Sequence, residues 1–257
     1  MLSEQKITEK ASTETVTALR WWNDRLLTFT TTRPLEYSFA AGQYARLGLQ
    51  DPSGTVWRAY SMTSAPGEPG LEFYGVIVEG GQFTSRLKQL QPGSTILVEK
   101  QPYGFMTADR FSDGEDLWML STGTGVGPYV SMLRDAAVWR QFRNLVLVHG
   151  VRHADEFVYH EELAELRAAA PGPAALQVIR ATSREAAPDA LRGRITDLLT
   201  AGELERTAGL QIDADRSRLM MCGNPEMIED MRKLLHARGL RPQRRALPGH
   251  FVTENYW

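Results

Sequence analysis

Alternation of apolar and polar positions divides this chain into two unlike parts. As far as about residue 105, period two dominates, and each run stops at a glycine or proline turn. Leu27-Thr28-Phe29-Thr30-Thr31-Thr32 alternates up to Pro34, and Gln43-Tyr44-Ala45-Arg46-Leu47-Gly48-Leu49 follows the Ala41-Gly42 turn. Leu71-Glu72-Phe73-Tyr74-Gly75-Val76-Ile77-Val78 is the strongest strand pattern and ends at Gly80-Gly81, while Thr95-Ile96-Leu97-Val98-Glu99 follows Pro92-Gly93. Short strands without long helical patterns predict a small antiparallel barrel or sandwich.

The pattern changes after the polar stretch from Asp109 to Asp116, which reads as a linker. Apolar strand-length runs then alternate with helical periodicity. Leu117-Trp118-Met119-Leu120 leads into a helical stretch ending near Trp139, and Leu145-Val146-Leu147-Val148 is a pure apolar strand. A helix over Asp155 to Ala169 would place Phe157, Leu163 and Leu166 to one side. Leu176-Gln177-Val178-Ile179 is the next strand, and Leu219-Met220-Met221-Cys222 precedes a helix with an Ile228, Met231, Leu234, Leu235 stripe. Such alternation predicts a parallel sheet covered by helices on both faces.

Composition narrows the partners. The chain has 257 residues and a formal net charge of −2, which does not suggest a nucleic-acid binder. A single cysteine, Cys222, excludes an internal disulfide and a four-cysteine iron–sulfur cluster. No apolar run approaches a membrane span and the first residues lack a signal-peptide core, so the expectation is an intracellular, cytoplasmic protein. The histidines lack metal-ligand spacing, and no metal is assigned.

The candidate chemistry lies in a few segments. In Arg58-Ala59-Tyr60-Ser61, strand alternation points Arg58 and Tyr60 to one face. A guanidinium fork grips phosphate and a phenol ring offers a stacking face, so the run suits a ligand that is part pyrophosphate and part flat aromatic. Gly81-Gln82-Phe83-Thr84 adds a second, glycine-led element. Gly123-Thr124-Gly125-Val126-Gly127-Pro128 stands between a strand and a helix, where exposed amides suit phosphate or a carbonyl oxygen, although its spacing is not the dinucleotide G-x-G-x-x-G fingerprint. Cys222-Gly223-Asn224-Pro225 repeats that logic with Asn224 as N-cap. Cys222 reads equally as a small buried residue at a strand end. Ser183, Arg184 and Arg194 could hold a dianionic monophosphate, or be solvated surface groups; two charge-assisted contacts of about 1.5–3 kcal/mol each would give roughly 10²- to 10⁴-fold preference. Arg238, Arg241, Arg244 and Arg245 form a basic cluster able to steer an acidic protein. The terminal Tyr256-Trp257 pair is either a packed tail or a cover for a stacked ring.

With Ala41-Gly42-Gln43-Tyr44, Arg58-Ala59-Tyr60-Ser61, Gly81-Gln82-Phe83-Thr84, Thr122-Gly123-Thr124-Gly125, Cys222-Gly223-Asn224-Pro225 and Gly249-His250 before the terminal Tyr256-Trp257, the chain resembles the bacterial ferredoxin/flavodoxin–NADP⁺ reductases over essentially its whole length, and most the enterobacterial type that ends in Tyr-Trp. The resemblance implies an antiparallel FAD-binding β-barrel over residues 1–108. An NADP-binding α/β domain with a parallel sheet follows over 117–257, its tail returning to the flavin. It implies that Arg58 holds the FAD pyrophosphate, Tyr60 stacks on the isoalloxazine and Ser61 sits beside N5. Ala59, Gly75, Val76, Ile77, Gln82, Phe83 and Thr84 would wrap the rest of FAD, and Thr122 would reach it from the second domain. Arg184, Arg194 and Ser183 would read the 2′-phosphate of NADP, with Arg152, Thr124, Gly125, Cys222, Gly223 and Asn224 along the nucleotide. Tyr256 and Trp257 would cover the flavin face and its adenine, and Ser61, Cys222, Glu254 and Tyr256 would form the catalytic neighbourhood. Implied partners are ferredoxin or flavodoxin, with a monomer as the family default. Thr84 stands where serine is common, and Gly127 where alanine is common. An oxygenase reductase component or free-flavin reductase is the rival enzyme, and a nucleotide-binding module without turnover is the rival of another class.

Overall fold

The computed structural model describes residues 9–244 and 247–255. The first part forms one antiparallel sheet in the order β4-β3-β6-β1-β2-β5. Its strands are β1 (Ala11–Trp21), β2 (Leu26–Thr31), β3 (Tyr44–Asp51), β4 (Gly54–Ser61), β5 (Leu71–Val76) and β6 (Thr95–Glu99). An isolated antiparallel bridge between Met62 and Phe73 ties the two edge strands together, so the sheet curls toward a barrel. Val16, Leu27, Phe29, Leu47, Phe73, Ile96 and Val98 fill its interior. A short helix, α1 (Gln82–Leu87), buries Phe83 and Leu87 in that core.

The second part is a six-stranded parallel sheet in the order β10-β9-β8-β7-β11-β12. It comprises β7 (Asp116–Thr122), β8 (Asn144–Val151), β9 (Ala175–Thr182), β10 (Ala190–Arg192), β11 (Ser217–Gly223) and β12 (Phe251–Asn255). Alternate residues of the central strands feed two separate cores. Leu117, Met119, Leu145 and Leu147 pack under α2 (Gly127–Arg134), α3 (Ala136–Gln141) and α4 (His160–Ala168). Trp118, Leu120, Val146 and Val148 pack under α5 (Ile195–Thr200), α6 (Glu203–Ala208) and α7 (Pro225–Ala237). Central strands apolar on both faces are what a doubly covered parallel sheet requires.

Several boundaries differ from the sequence reading, each for a physical reason. The helix expected over Gly127 to Trp139 is two helices, because Asp135 takes an extended backbone and caps the second by accepting from the Ala137 amide at 3.1 Å. The helix expected from Asp155 begins at His160. Phe157 and Val158 turn into the core, and Tyr159 adopts φ 68° so that its hydroxyl donates to Glu72 Oε1 of the first sheet at 2.9 Å. The stretch after Asp109 is not slack: Phe111 is buried, and Asp113 accepts from Arg218 Nε at 2.8 Å.

The two halves are joined by more than the chain. Leu26 and Tyr74 of the first sheet enter the core beneath α2 and α4. Ser131 Oγ donates to Ser64 O at 2.7 Å, and Arg134 Nη1 donates to Thr63 O at 3.0 Å while its Nη2 meets Glu162 Oε2 at 2.9 Å. The cleft between the halves therefore has walls fixed to one another.

Candidate active site

A cleft of about 900 Å³ opens over the carboxyl edge of the parallel sheet, in the size range of a ligand pocket. One wall is the barrel half, through Asn23, Arg25, Leu26, Tyr74, Val76 and Val78. The other gathers Thr122, Thr124, Arg152, Ser183, Arg184, Arg194 and Asn224, which the sequence reading named from five separate loops.

The loops of that second wall are bound to each other. Arg184 N donates to Arg152 O at 3.1 Å, and both the amide and the hydroxyl of Ser183 donate to Val151 O, at 3.0 and 3.2 Å. Arg152 and Arg184 thus emerge side by side, and Gly193 N on Thr182 O at 2.9 Å brings Arg194 into the same corner. All three arginines are exposed, and none makes an ion pair among the described residues. Three cations without carboxylate partners at the end of a cleft suit a phosphate. Ser183 must turn its hydroxyl away from Val151 to donate to one.

The glycine turn is shaped by close contacts. A Cβ on Gly125 would stand 2.5 Å from Cys222 O, and one on Gly223 would stand 2.2 Å from Thr122 Oγ1. Only glycine lets the turns after β7 and β11 touch this closely. Asn224 N donates to Thr122 Oγ1 at 2.8 Å, and the Asn224 side chain caps α7 by accepting from Glu226 N and Met227 N at 2.8 and 3.1 Å. Cys222, Gly125 and Gly223 form the buried floor beneath the cleft instead of its lining.

Arg58, Tyr60 and the turn at Gln82 to Thr84 belong to a second group, beyond β5 and outside the lining of the cleft. The exposed Arg58 donates only to Trp57 O, at 2.8 Å, and has no acidic partner among the described residues. Tyr60 packs against Phe83, ring centroids 5.3 Å apart, and burial pushes its phenol up. Gly75 makes room for that ring, since a Cβ there would stand 3.2 Å from Tyr60 Cε1. Phe83 is buried and supports Tyr60 from below. Thr84 Oγ1 donates to Val78 O at 2.9 Å and accepts from Val78 N at 3.2 Å, so its side chain braces the loop that holds Ile77 and Val78. Ala59 is exposed between Arg58 and Tyr60.

Two strand registers bring the remaining residues together. Ser61 pairs with Tyr44, and Cys222 pairs with both Ser121 and Glu254. Gly104 connects the pairs: the place of its absent Cβ is 3.0 Å from both Tyr44 Cδ1 and Glu254 Oε1. Ser61 also backs onto Gly127 at the start of α2, 3.8 Å from where a Cβ would be. The Glu254 carboxyl makes no hydrogen bond or ion pair among the described residues, and burial raises it to about 7. A proton held there titrates at neutral pH.

Sequence reasoning missed three contributors. His149 is buried with Nε2 3.0 Å from Gly123 O; its place near the carboxyl end of β8, three residues before Arg152, was the available signal. Asn23 and Arg25, on the β1–β2 turn, line the cleft from the barrel half, and nothing in their pattern marked them. The basic cluster is smaller than expected, because Arg238 is held by both oxygens of Glu205 at 2.9 and 3.2 Å. Tyr256, Trp257 and Arg245 lie outside the described residues.

The donor set fits a flavin dinucleotide beside a nicotinamide dinucleotide. Arg58 faces solvent without a carboxylate, Gly75 clears the ring of Tyr60, and three unpaired arginines end the cleft. Comparison with known proteins agrees. The oxidoreductase FAD-binding domain family matches residues 16–107, and the oxidoreductase NAD-binding domain family matches residues 119–233. The flavodoxin/ferredoxin–NADP reductase of Escherichia coli (strain K12) is 40% identical over 243 residues, covering 94% of this chain and 97% of that one. The ferredoxin–NADP reductase of Azotobacter vinelandii is 34% identical over 248 residues, covering 94% and 95%. A crystal structure of a ferredoxin NADP⁺ reductase from Neisseria gonorrhoeae with bound FAD and NADP superimposes with a TM-score of 0.91 at 34% identity, over 96% of this chain and 98% of that one. With its antiparallel half-barrel, its parallel nucleotide sheet and both matching families in that order, this chain belongs to the flavodoxin/ferredoxin–NADP reductase family.

Proposed function

We propose that this protein exchanges electrons between NADPH and the one-electron carriers ferredoxin or flavodoxin, with FAD bound by residues 1–108 and NADP(H) by residues 117–257. The observation that carries the reading is the meeting of Arg152, Arg184 and Arg194, unpaired, in one cleft with the glycine turn. When bound, FAD supplies a ring that takes two electrons together and releases them singly.

The chain's own residues do the rest. Arg58 holds the FAD diphosphate by its guanidinium fork, and Tyr60, steadied by Phe83 and Gly75, supports the flat ring. Gly75, Val76, Ile77, Ala59, Gln82, Phe83 and Thr84 enclose the remainder. Arg184 and Arg194, with Ser183, hold the 2′-phosphate of NADPH, and Arg152 stands beside them. Thr122, Thr124, Gly125, Gly223 and Asn224 let the nucleotide approach the sheet edge closely. Ser61, Cys222 and Glu254 orient the nicotinamide, and Glu254 holds a proton on its carboxyl near neutral pH. Arg241 and Arg244, both exposed, offer positive charge to an acidic carrier. The expected working form is a cytoplasmic monomer. No helix among the described residues is long and apolar enough to cross a membrane.

Anaerobic titration of the purified protein tests this. Rapid bleaching of a visible flavin band by NADPH, and much slower bleaching by NADH, is the expected result. A colourless protein, or a yellow one that neither nucleotide bleaches, refutes it.

A further inference from the structure

Arg25 stands on the turn between β1 and β2, in the barrel half, yet it lines the nucleotide cleft. Its backbone is held at both its amide and its carbonyl. Asn23 Oδ1 accepts from the amides of Arg25 and Leu26 at 3.0 and 2.9 Å, and Arg25 O accepts from Ile77 N at 2.7 Å. The turn is in addition tied to the other half: Asn23 Nδ2 donates to Asp155 O and Oδ2 at 3.3 and 3.2 Å. The guanidinium is exposed and makes no ion pair or hydrogen bond among the described residues. A fixed backbone carrying an uncommitted fork is how a ligand contact is preorganised.

Sheet order says which part of a ligand it meets. Along the order β10-β9-β8-β7-β11, the lining residues run from Arg194 and Arg184 through Arg152 to Thr122, Thr124 and Asn224. Asp155 follows β8, so the Asn23–Asp155 contact sets the β1–β2 turn over the middle of that line. A dinucleotide with its terminal monophosphate at β9–β10 and its reactive ring at β7–β11 has its diphosphate over the middle.

Resting on the cleft assignment proposed above, we infer that Arg25 is a binding residue for the diphosphate of the nicotinamide dinucleotide, supplied by the barrel domain across the domain boundary. Because NADPH and NADH share that diphosphate, Arg25 sets affinity for both without choosing between them. It differs in this from Arg184 and Arg194, which face the group that only NADPH carries.

The test uses the full-length flavoprotein and its Arg25→Ala and Arg25→Lys variants, titrated with NADP⁺, NAD⁺ and adenosine 2′-monophosphate and followed by flavin difference spectra. Arg25→Ala should weaken both dinucleotides by the same factor of about ten, the size of one charge-assisted contact. It should leave adenosine 2′-monophosphate, FAD retention and the thermal midpoint unchanged, with Arg25→Lys in between. Unchanged dinucleotide binding, a loss confined to NADP⁺, or release of FAD would each overturn the assignment. If wild-type flavin is not bleached by NADPH the proposed activity fails, whereas these binding titrations still report on Arg25 alone.

Discussion

His149 and Gly123 meet with the imidazole Nε2 3.0 Å from the glycine carbonyl oxygen, the ring buried and the glycine on the wall of the cleft. Gly123 opens the turn after β7 at φ 54°, and burial holds His149 neutral by lowering its value to about 4. A neutral ring with its proton on Nε2 donates to that carbonyl over the whole physiological range. His149→Leu removes the donor and leaves a half-buried acceptor without its partner, a loss of roughly 1 kcal/mol. His149→Gln keeps a donor. The leucine variant should lower stability and raise the KM for NADPH and NADH alike, with substantial rescue by glutamine, as measured by urea unfolding and steady-state kinetics. Equal behaviour of the two variants would deny the hydrogen bond a role.

Stability against pH should show two opposed proton uptakes. The folded His149 titrates near 4 against about 6.5 unfolded, so between those values the unfolded chain holds one proton more and stability rises with pH. The folded Glu254 titrates near 7 against an unfolded value of about 4.5, so the folded chain holds one proton more and stability falls with pH. From about pH 4.5 to 6.5 the two slopes, each at most about 1.4 kcal/mol per pH unit, cancel between themselves. His149→Gln should expose the falling slope and Glu254→Gln the rising one. Chemical denaturation across that window checks this, and parallel curves for both variants and wild type would refute it.

The second half was the more legible in sequence, because buried parallel strands read as uninterrupted apolar runs: Leu117 to Leu120, Leu145 to Val148 and Leu219 to Cys222 lie within β7, β8 and β11. β1 escaped because Ser12, Thr13, Glu14, Thr15 and Thr17 make it polar, although it is central in its sheet between β6 and β2. The loop arginines were visible as residue types, and the cleft does collect Arg152, Arg184 and Arg194. Arg25 and Asn23 were not visible, because their relation to the cleft depends on how one sheet stands against the other. No periodicity within either half encodes that packing.

Gly75 gives a test of the flavin side that is independent of the cleft. A Cβ at this position would lie 3.2 Å from Tyr60 Cε1 and 3.3 Å from Leu87 Cδ2, tighter than ordinary contact. Gly75→Ala asks the ring to yield by a few tenths of an ångström, and Gly75→Val asks for more than the buried Leu87 allows. FAD affinity, measured by fluorescence on reconstituting the apoprotein, should fall slightly with alanine and by about tenfold or more with valine. Undiminished FAD binding by the valine variant would mean that the placement of Tyr60 is not needed for the flavin.

Gly125→Ala should be among the most damaging single-methyl additions in the chain. Its Cβ would stand 2.5 Å from Cys222 O and 2.7 Å from Cys222 C, which are backbone atoms at the end of a central strand and cannot swing aside. Gly67 is the matched control, with nothing within 4 Å of its Cβ position. Gly67→Ala should leave the thermal midpoint within a degree or two, and Gly125→Ala should lower it by several degrees, on the order of 1–3 kcal/mol. A tolerated Gly125→Ala would show that the turn has another conformation available.

Phosphate selectivity is the sharpest test of the cationic corner. Arg184 and Arg194 are exposed and unpaired, so replacing either leaves no buried partner stranded and should not disturb the fold. Each contact to a 2′-phosphate is expected to contribute roughly tenfold or more in affinity. Arg184→Ala and Arg194→Ala should therefore each raise the KM for NADPH by about that factor while hardly moving the KM for NADH, and the double variant should largely abolish the preference. Because charge-assisted contacts at an exposed site are screened, the wild-type preference should itself shrink as ionic strength rises, and the double variant's should not. Equal effects of the substitutions on both nucleotides would place the monophosphate elsewhere.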